Sequence, residues 1–267
     1  MRSRKRLFEG RLAPAEEWVE VGRHKIGVQR SARRKTMTLM VDRDGTVKIQ
    51  APVAMDLGRA RDFAVSHLAW IEKYVAEKER LRPPEYTRRK EYVSGETFYY
   101  LGEAHRLRIV PGNAPLTLGG KARGGVELGA AGSGAFWELG AERQAQAEEE
   151  FIEFYKRNLK TILAGVVAKW APRFGLEGAR VTIRPASNRW ASYNKGRINA
   201  NWQLALIPML QIEYVIAHEL AHDKFMDHSR AFWTWLGMVM PDWESRKAFL
   251  RDNGATWLAG FGLQPKE

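Results

Sequence analysis

Apolar and polar residues alternate along residues 17–50, in EWVEVGRHKIGVQ, TMTLMVD and DGTVKIQAP. A period of two places every other side chain on one face, so these stretches are predicted strands. Asp44-Gly45 between apolar runs is a hairpin signal. At Asp56 the period becomes helical. One helix is expected from there to Leu81, with Phe63, Trp70, Ile71 and Tyr74 near one stripe, stopped by Pro83-Pro84. Residues 91–139 return to short strands, ETFYYLGEAHRLRIV and GGVELG with GAFWEL, separated by glycines.

The pattern shifts again at Ala141. Phe151, Tyr155, Leu159, Ile162, Val166 and Trp170 keep a spacing of three to four, which predicts a long helix ending near Pro172 and Gly175. ARVTIRP follows as a strand, SNRWASYNKGRINANW as loop and strand, and two or three helices close the chain. The expected fold is α+β: a β-rich N-terminal half with one long helix, then a mainly helical core with a small sheet. The expected division is 1–139 and 140–267, with a basic arm at 1–15.

Composition narrows the function. There is no cysteine among the 267 residues, which removes disulfides, cysteine nucleophiles and thiolate zinc sites. The basic N-terminus has no apolar stretch behind it, so no secretory signal is expected. No apolar run reaches the roughly 18 residues that span a bilayer. A cytoplasmic protein without membrane contact is expected. The net charge is +12, and residues 1–40 hold eleven Lys/Arg against four Glu. Such an arm supports weak, non-specific nucleic-acid binding.

The chemistry concentrates in HELAHDKFMDHSRAFW, residues 218–233. On a helix, His218 and His222 lie about 40° apart and both imidazoles can meet one ion. Glu219 lies about 100° around, where it reaches a water beside that ion and can take its proton. Apolar YVIA before the motif puts it on a buried helix, where unpartnered polar groups would be costly. His228 becomes a third ligand only if the helix ends between Lys224 and Asp227, with Ser229 as N-cap of the next helix. Three imidazoles and one open position suit zinc, one ion per chain. A metzincin would carry glycine where Phe225 stands. Glu244 is the alternative third ligand, although it falls on what looks like a solvated helix face.

HELAH…HSRAFW, with RWAS…INANW…LIP before it and MPDW after it, resembles the YgjP-like metallopeptidases, relatives of the WLM and SprT-type zincins. The likeness spans roughly residues 20–255. It implies a zincin-like core, a peptide or protein substrate, zinc on His218, His222 and His228, and Glu219 as general base. It also implies that the strand before the active-site helix offers its edge to an extended peptide. The chain departs from the family pattern after Trp190, where Ala191-Ser192-Tyr193 replaces Gly-Ser-Cys.

Around this motif, Trp190 and Ser192 match the family, as substrate contacts or as a core tryptophan and a turn serine. Arg189, Tyr193 and Tyr214 are oxyanion candidates, and Arg189 is also a structural partner for Glu213. Asn201 is expected to cap a helix. His24, His67 and His105 are expected to be ordinary histidines. The rival readings are a basic nucleic-acid-associated protein with a structural zinc site, and a protease acting on nucleic-acid-bound proteins.

Overall fold

The alternation at the N-terminus becomes a four-stranded sheet. In a computed structural model the protein is described at residues 17–42, 45–80, 90–119, 135–184, 189–259 and 261. The basic arm, Asp44, Pro83-Pro84 and GGVELG lie outside the described residues. Strands β1 (Glu17–Val21), β2 (His24–Ser31), β3 (Thr38–Val41) and β4 (Val47–Pro52) run in the order β1-β2-β4-β3. The central pair is parallel and both outer pairs are antiparallel. Val19, Val21, Ile26, Val28, Val47, Ile49 and Ala51 supply the buried face.

The helical stretch after Asp56 is two helices, not one: α1 (Leu57–Ser66) and α2 (Leu68–Arg80). The break is His67, at φ −114° and ψ 15°, whose ring Nδ1 bonds back to the Phe63 carbonyl at 2.8 Å. The buried positions are Ala60, Ala64, Ile71 and Val75. Trp70 and Tyr74 were expected on that stripe but are partly exposed and pack on each other, with ring centroids 4.5 Å apart.

The described residues up to Arg80 form one compact unit and those from Lys90 onward a second. The second unit spans the position 139/140. The reason is the second sheet: β5 (Thr97–Tyr100), β6 (Glu103–Val110), β7 (Thr117–Gly119) and β8 (Phe136–Gly140), in the order β5-β6-β8-β7. Its Phe98, Tyr100, Leu107, Trp137 and Leu139 belong to the same core as the long helix α3 (Ala147–Trp170). Phe98 stacks on Phe151 at 4.2 Å, and Trp137 meets Phe154 edge-on at 4.9 Å. All six apolar positions expected on α3 are buried. Glu148, Glu149 and Glu150 occupy its first turn, where the helix dipole favours negative charge. After a short 3-10 turn the chain reverses at Gly175, in the left-handed region at φ 75°.

The third sheet, in the order β10-β11-β9, is built from β9 (Arg180–Arg184), β10 (Ala191–Asn194) and β11 (Arg197–Asn201). Asn201 caps a 3-10 turn, its side chain accepting from the Gln203 N–H at 3.1 Å, as expected. Then come α4 (Met209–Ala221), α5 (Arg230–Val239) and α6 (Trp243–Ala259). The α+β class is as expected. The start of α4 is fixed by the β5–β6 turn. Leu101 and Gly102 have positive φ, and their N–H groups bond the carbonyls of Ala205 and Leu206. A Cβ on Gly102 would lie 2.5 Å from Pro208 Cγ, so only glycine lets the turn approach this closely. No helix of the described residues is long and apolar enough to cross a membrane.

Candidate metal centre

Helix α4 is apolar nearly all round. Ile212, Tyr214, Val215, Ile216, Ala217, Leu220 and Ala221 are all buried, which anchors the helix and fixes what its last turn presents. It ends at Ala221, with His222 as C-cap, several residues before the break expected between Lys224 and Asp227. The chain then turns so that the Phe225 carbonyl comes back to His222 Nδ1 at 2.9 Å. That bond takes the Nδ1 proton and leaves the Nε2 lone pair facing outward. His228 lies on the irregular segment before α5. Ser229 stands at the N-cap of α5 but makes no capping bond with its side chain; its N–H is bonded to Asp227 at 3.2 Å instead.

The turn folds His228 back. Its Nε2 lies 3.0 Å from His218 Nε2, and one ligand nitrogen from each of His218, His222 and His228 lies within 4.8 Å of the others. Donors 2.0–2.1 Å from one tetrahedral ion sit about 3.3 Å apart, so this spacing suits one ion. Phe232 is fully buried beneath all three rings, at 4.9, 4.7 and 5.0 Å between centroids. Trp233 Nε1 donates to the His228 carbonyl at 3.0 Å and pins the loop.

Electrostatics favour a cation here. Burial pushes the His218 pKa down to about 3, with the neighbouring His222 adding to the effect. His228 is lowered too, again chiefly by desolvation. Both rings are thereby held neutral, the form that ligates. His218 Nδ1 is buried with no hydrogen-bond partner, which leaves the ring with an uncompensated polar edge. Coordination through Nε2 would offset part of that cost. Glu219 is 7% exposed, and burial raises its carboxyl to about 7 against the opposing charge of Arg189 and the backbone N–H of Tyr193. An ion on the histidines would draw it back toward the carboxylate.

A family model described as YgjP-like, metallopeptidase domain, matches residues 35–253. The chain belongs to the YgjP-like family. It is a metallopeptidase, a hydrolase of peptide bonds that uses a metal ion. No curated protein and no solved structure matches it.

The other candidates of this YgjP-like chain separate clearly. Tyr193 is not free to meet an oxyanion: its hydroxyl donates to Asp223 and accepts from the Gly196 N–H at 2.7 Å. Its backbone N–H, not its phenol, faces Glu219. Tyr214 is buried, its ring 5.9 Å from His218, and desolvation and the Glu219 charge both raise its pKa well above normal. Trp190 is half-buried against the core, next to Gly254 of α6, and Ser192 pairs opposite Asn199 in the β10–β11 ladder. Arg189 is exposed and does not pair with Glu213. Glu213 bonds Lys169 at 2.5 Å and Arg246 at 3.1 Å, because α3 and α6 both pack on α4 there. Glu244 is exposed and outside the histidine group. His67 and His105 bond backbone carbonyls, and neither joins the group. Phe232 and Trp233 were not expected at the site, because aromatics at the spacing of RAFWTW are common in helix cores and carry no metal signal of their own.

Proposed function

We propose that this metallopeptidase is zinc-dependent, with His218, His222 and His228 holding the ion and Glu219 acting as general base. The observation that carries this reading is the convergence of three histidine ring nitrogens beside a buried carboxyl. Zinc, when bound, supplies Lewis acidity, making a water more acidic and a carbonyl more electrophilic. Glu219 takes a proton from the attacking water and returns it to the leaving amine. Its burial and the Tyr193 N–H fix the carboxylate in one orientation, so little reorganisation is needed when the proton moves. Arg189 and Tyr214 are the groups left to face a developing oxyanion, since the Tyr193 phenol is engaged elsewhere. The strand directly before α4, β11, is paired on both sides, so the substrate enters instead as an extended strand along the edge of β10, whose Tyr193 N–H faces Glu219. A structural zinc site would close its fourth position with a protein ligand. Among the described residues the histidine group has three members, which favours the enzymatic reading.

The test pairs metal analysis with Glu219→Gln. One zinc per chain is expected in both proteins, with peptide hydrolysis reduced by at least about 100-fold in the variant. A variant as active as the parent would remove Glu219 from the mechanism, and a parent without zinc after chelator-free purification would remove the metal assignment.

A further inference from the structure

The metal centre continues sideways into a short column of rings. His228 stacks on Trp233 at 5.6 Å between centroids and 25° between planes, and Trp233 stacks on Trp243 at 4.5 Å and 20°. Lys247 rests on this column, its Nζ 4.0 Å from the Trp233 centroid and 5.6 Å from that of Trp243. The column is anchored at its base, because Trp233 Nε1 is bonded to the His228 carbonyl. A cation over an indole face keeps its stem ordered while its ammonium stays accessible.

Lys247 differs from its cationic neighbours on α6. Arg246 is taken up by Glu213 and Asp242, and Arg251 by Asp252. Lys247 has no carboxylate partner among the described residues, and it is exposed. Trp233 lies 5.6 Å from both His218 and His228, so the ammonium sits within about 10 Å of those rings. Its charge also bears on both histidines. An extended peptide advances about 3.3–3.6 Å per residue, so a group two or three residues from the scissile carbonyl comes within its reach.

We propose that Lys247, held on the Trp233–Trp243 stack, selects substrates that carry a carboxylate two or three residues from the scissile bond. It is a specificity-determining residue and takes no part in bond cleavage. The carboxylate comes from an Asp or Glu side chain, which makes the preference one of an endopeptidase, or from the chain terminus, which makes it one of a carboxypeptidase. The inference rests on the peptidase reading above for the meaning of the site, so its test is a binding measurement that does not need turnover.

The probes are blocked peptides with Asp or Asn, and Glu or Gln, at successive positions, together with one peptide as free acid and as amide. Binding to the zinc-loaded Glu219→Gln protein is compared with binding to the same protein also carrying Lys247→Met or Lys247→Arg. Hydrogen bonds to charged groups contribute enough for a preference of about tenfold or more for the carboxylate member of a pair. That preference is expected to vanish in Lys247→Met, to persist in Lys247→Arg, and to shrink with added salt, with zinc content unchanged. Whether the preferred member differs at a side chain or at the terminus identifies the source. A preference that survives Lys247→Met, or that is absent from the parent, overturns the proposal. Hydrolysis is measured separately with Glu219 intact. Cleavage without carboxylate preference sinks the Lys247 assignment alone, whereas Lys247-dependent binding without cleavage sinks the peptidase mechanism and leaves Lys247 standing.

Discussion

Phe232→Ala tests whether the three histidines are held in place before any ion arrives. The side chain is fully buried and touches His218, His222, His228 and Trp233, each within 5.0 Å between centroids. Truncating a buried phenylalanine costs about 3–5 kcal/mol in transfer and cavity terms. Four ring contacts place this site toward the upper end of that range. Globular proteins are stable by only about 5–15 kcal/mol, so the loss is a large fraction of the total. In a unit of this size it corresponds to a melting temperature lower by roughly 6–20 °C. The assay is denaturant unfolding with chelator and then with zinc, followed by zinc competition against a chromophoric chelator. Metal-free protein isolates the packing term, and the competition isolates the metal term. Weaker zinc binding is expected as well, because the rings lose their common floor and must be ordered by the ion itself. Phe249→Ala is the control, since Phe249 is 46% exposed and its truncation is expected to cost under about 1 kcal/mol. If Phe232→Ala costs less than about 1 kcal/mol without metal and leaves zinc affinity unchanged, the histidines are not preorganised by packing.

His228→Ala is expected to lose zinc affinity strongly in the same competition, and Glu244→Ala to change it little; the reverse pattern would move the third ligand to α6. Arg246→Ala leaves the Glu213 carboxylate, 12% exposed, with Lys169 alone, and is expected to cost about 3 kcal/mol in urea unfolding, whereas Arg189→Ala on the surface should stay within about 0.5 kcal/mol. Equal losses would restore Arg189 as the structural partner. In the Glu219→Gln protein with chelator, which lacks the carboxyl whose raised pKa would oppose the effect, stability is expected to fall as pH drops from about 6.5 toward 3. His218 and His228 have depressed pKa values when folded, so below 6.5 the unfolded chain binds more protons and gains on the native state. Unfolding free energies that stay flat across that window would show that neither ring is buried neutral.

What the sequence made legible was local. The six apolar positions of α3 repeat within one helix, and His218, Glu219 and His222 lie within five residues, so period and spacing sufficed. The α4 end was placed too late because its cause is a carbonyl, that of Phe225, reaching back to His222, and backbone groups leave no mark in the residue pattern. The split at His67 escaped because residues on both sides keep a helical period, and the stripe was half right: Ile71 and Phe63 meet the first core, while Trp70 and Tyr74 turn outward and Ala60, Ala64 and Val75 pack there instead. Partners distant in sequence were invisible. Glu213 meets Lys169 and Arg246 across 44 and 33 residues. The aromatic floor of Phe232 and the lysine on Trp233 become visible only once α5 and α6 are packed.

The close approach of Gly102 to Pro208 bears on modularity. Every residue of the histidine site lies after residue 188, and a fragment from 140 onward would carry them all. Such a fragment would lack the turn that receives the start of α4, and Trp257 Nε1 would lose the Gly102 carbonyl it bonds at 3.3 Å. It would also strip Phe98, Tyr100 and Trp137 from Phe151, Phe154 and Tyr155. The amides of Leu101 and Gly102 are therefore expected to exchange with solvent in the same cooperative opening as those of α4, which hydrogen exchange would check. A piece that keeps this chemistry is expected to begin before β5, and truncation within strands β5 to β8 is expected to disrupt the candidate site without altering any of its histidines.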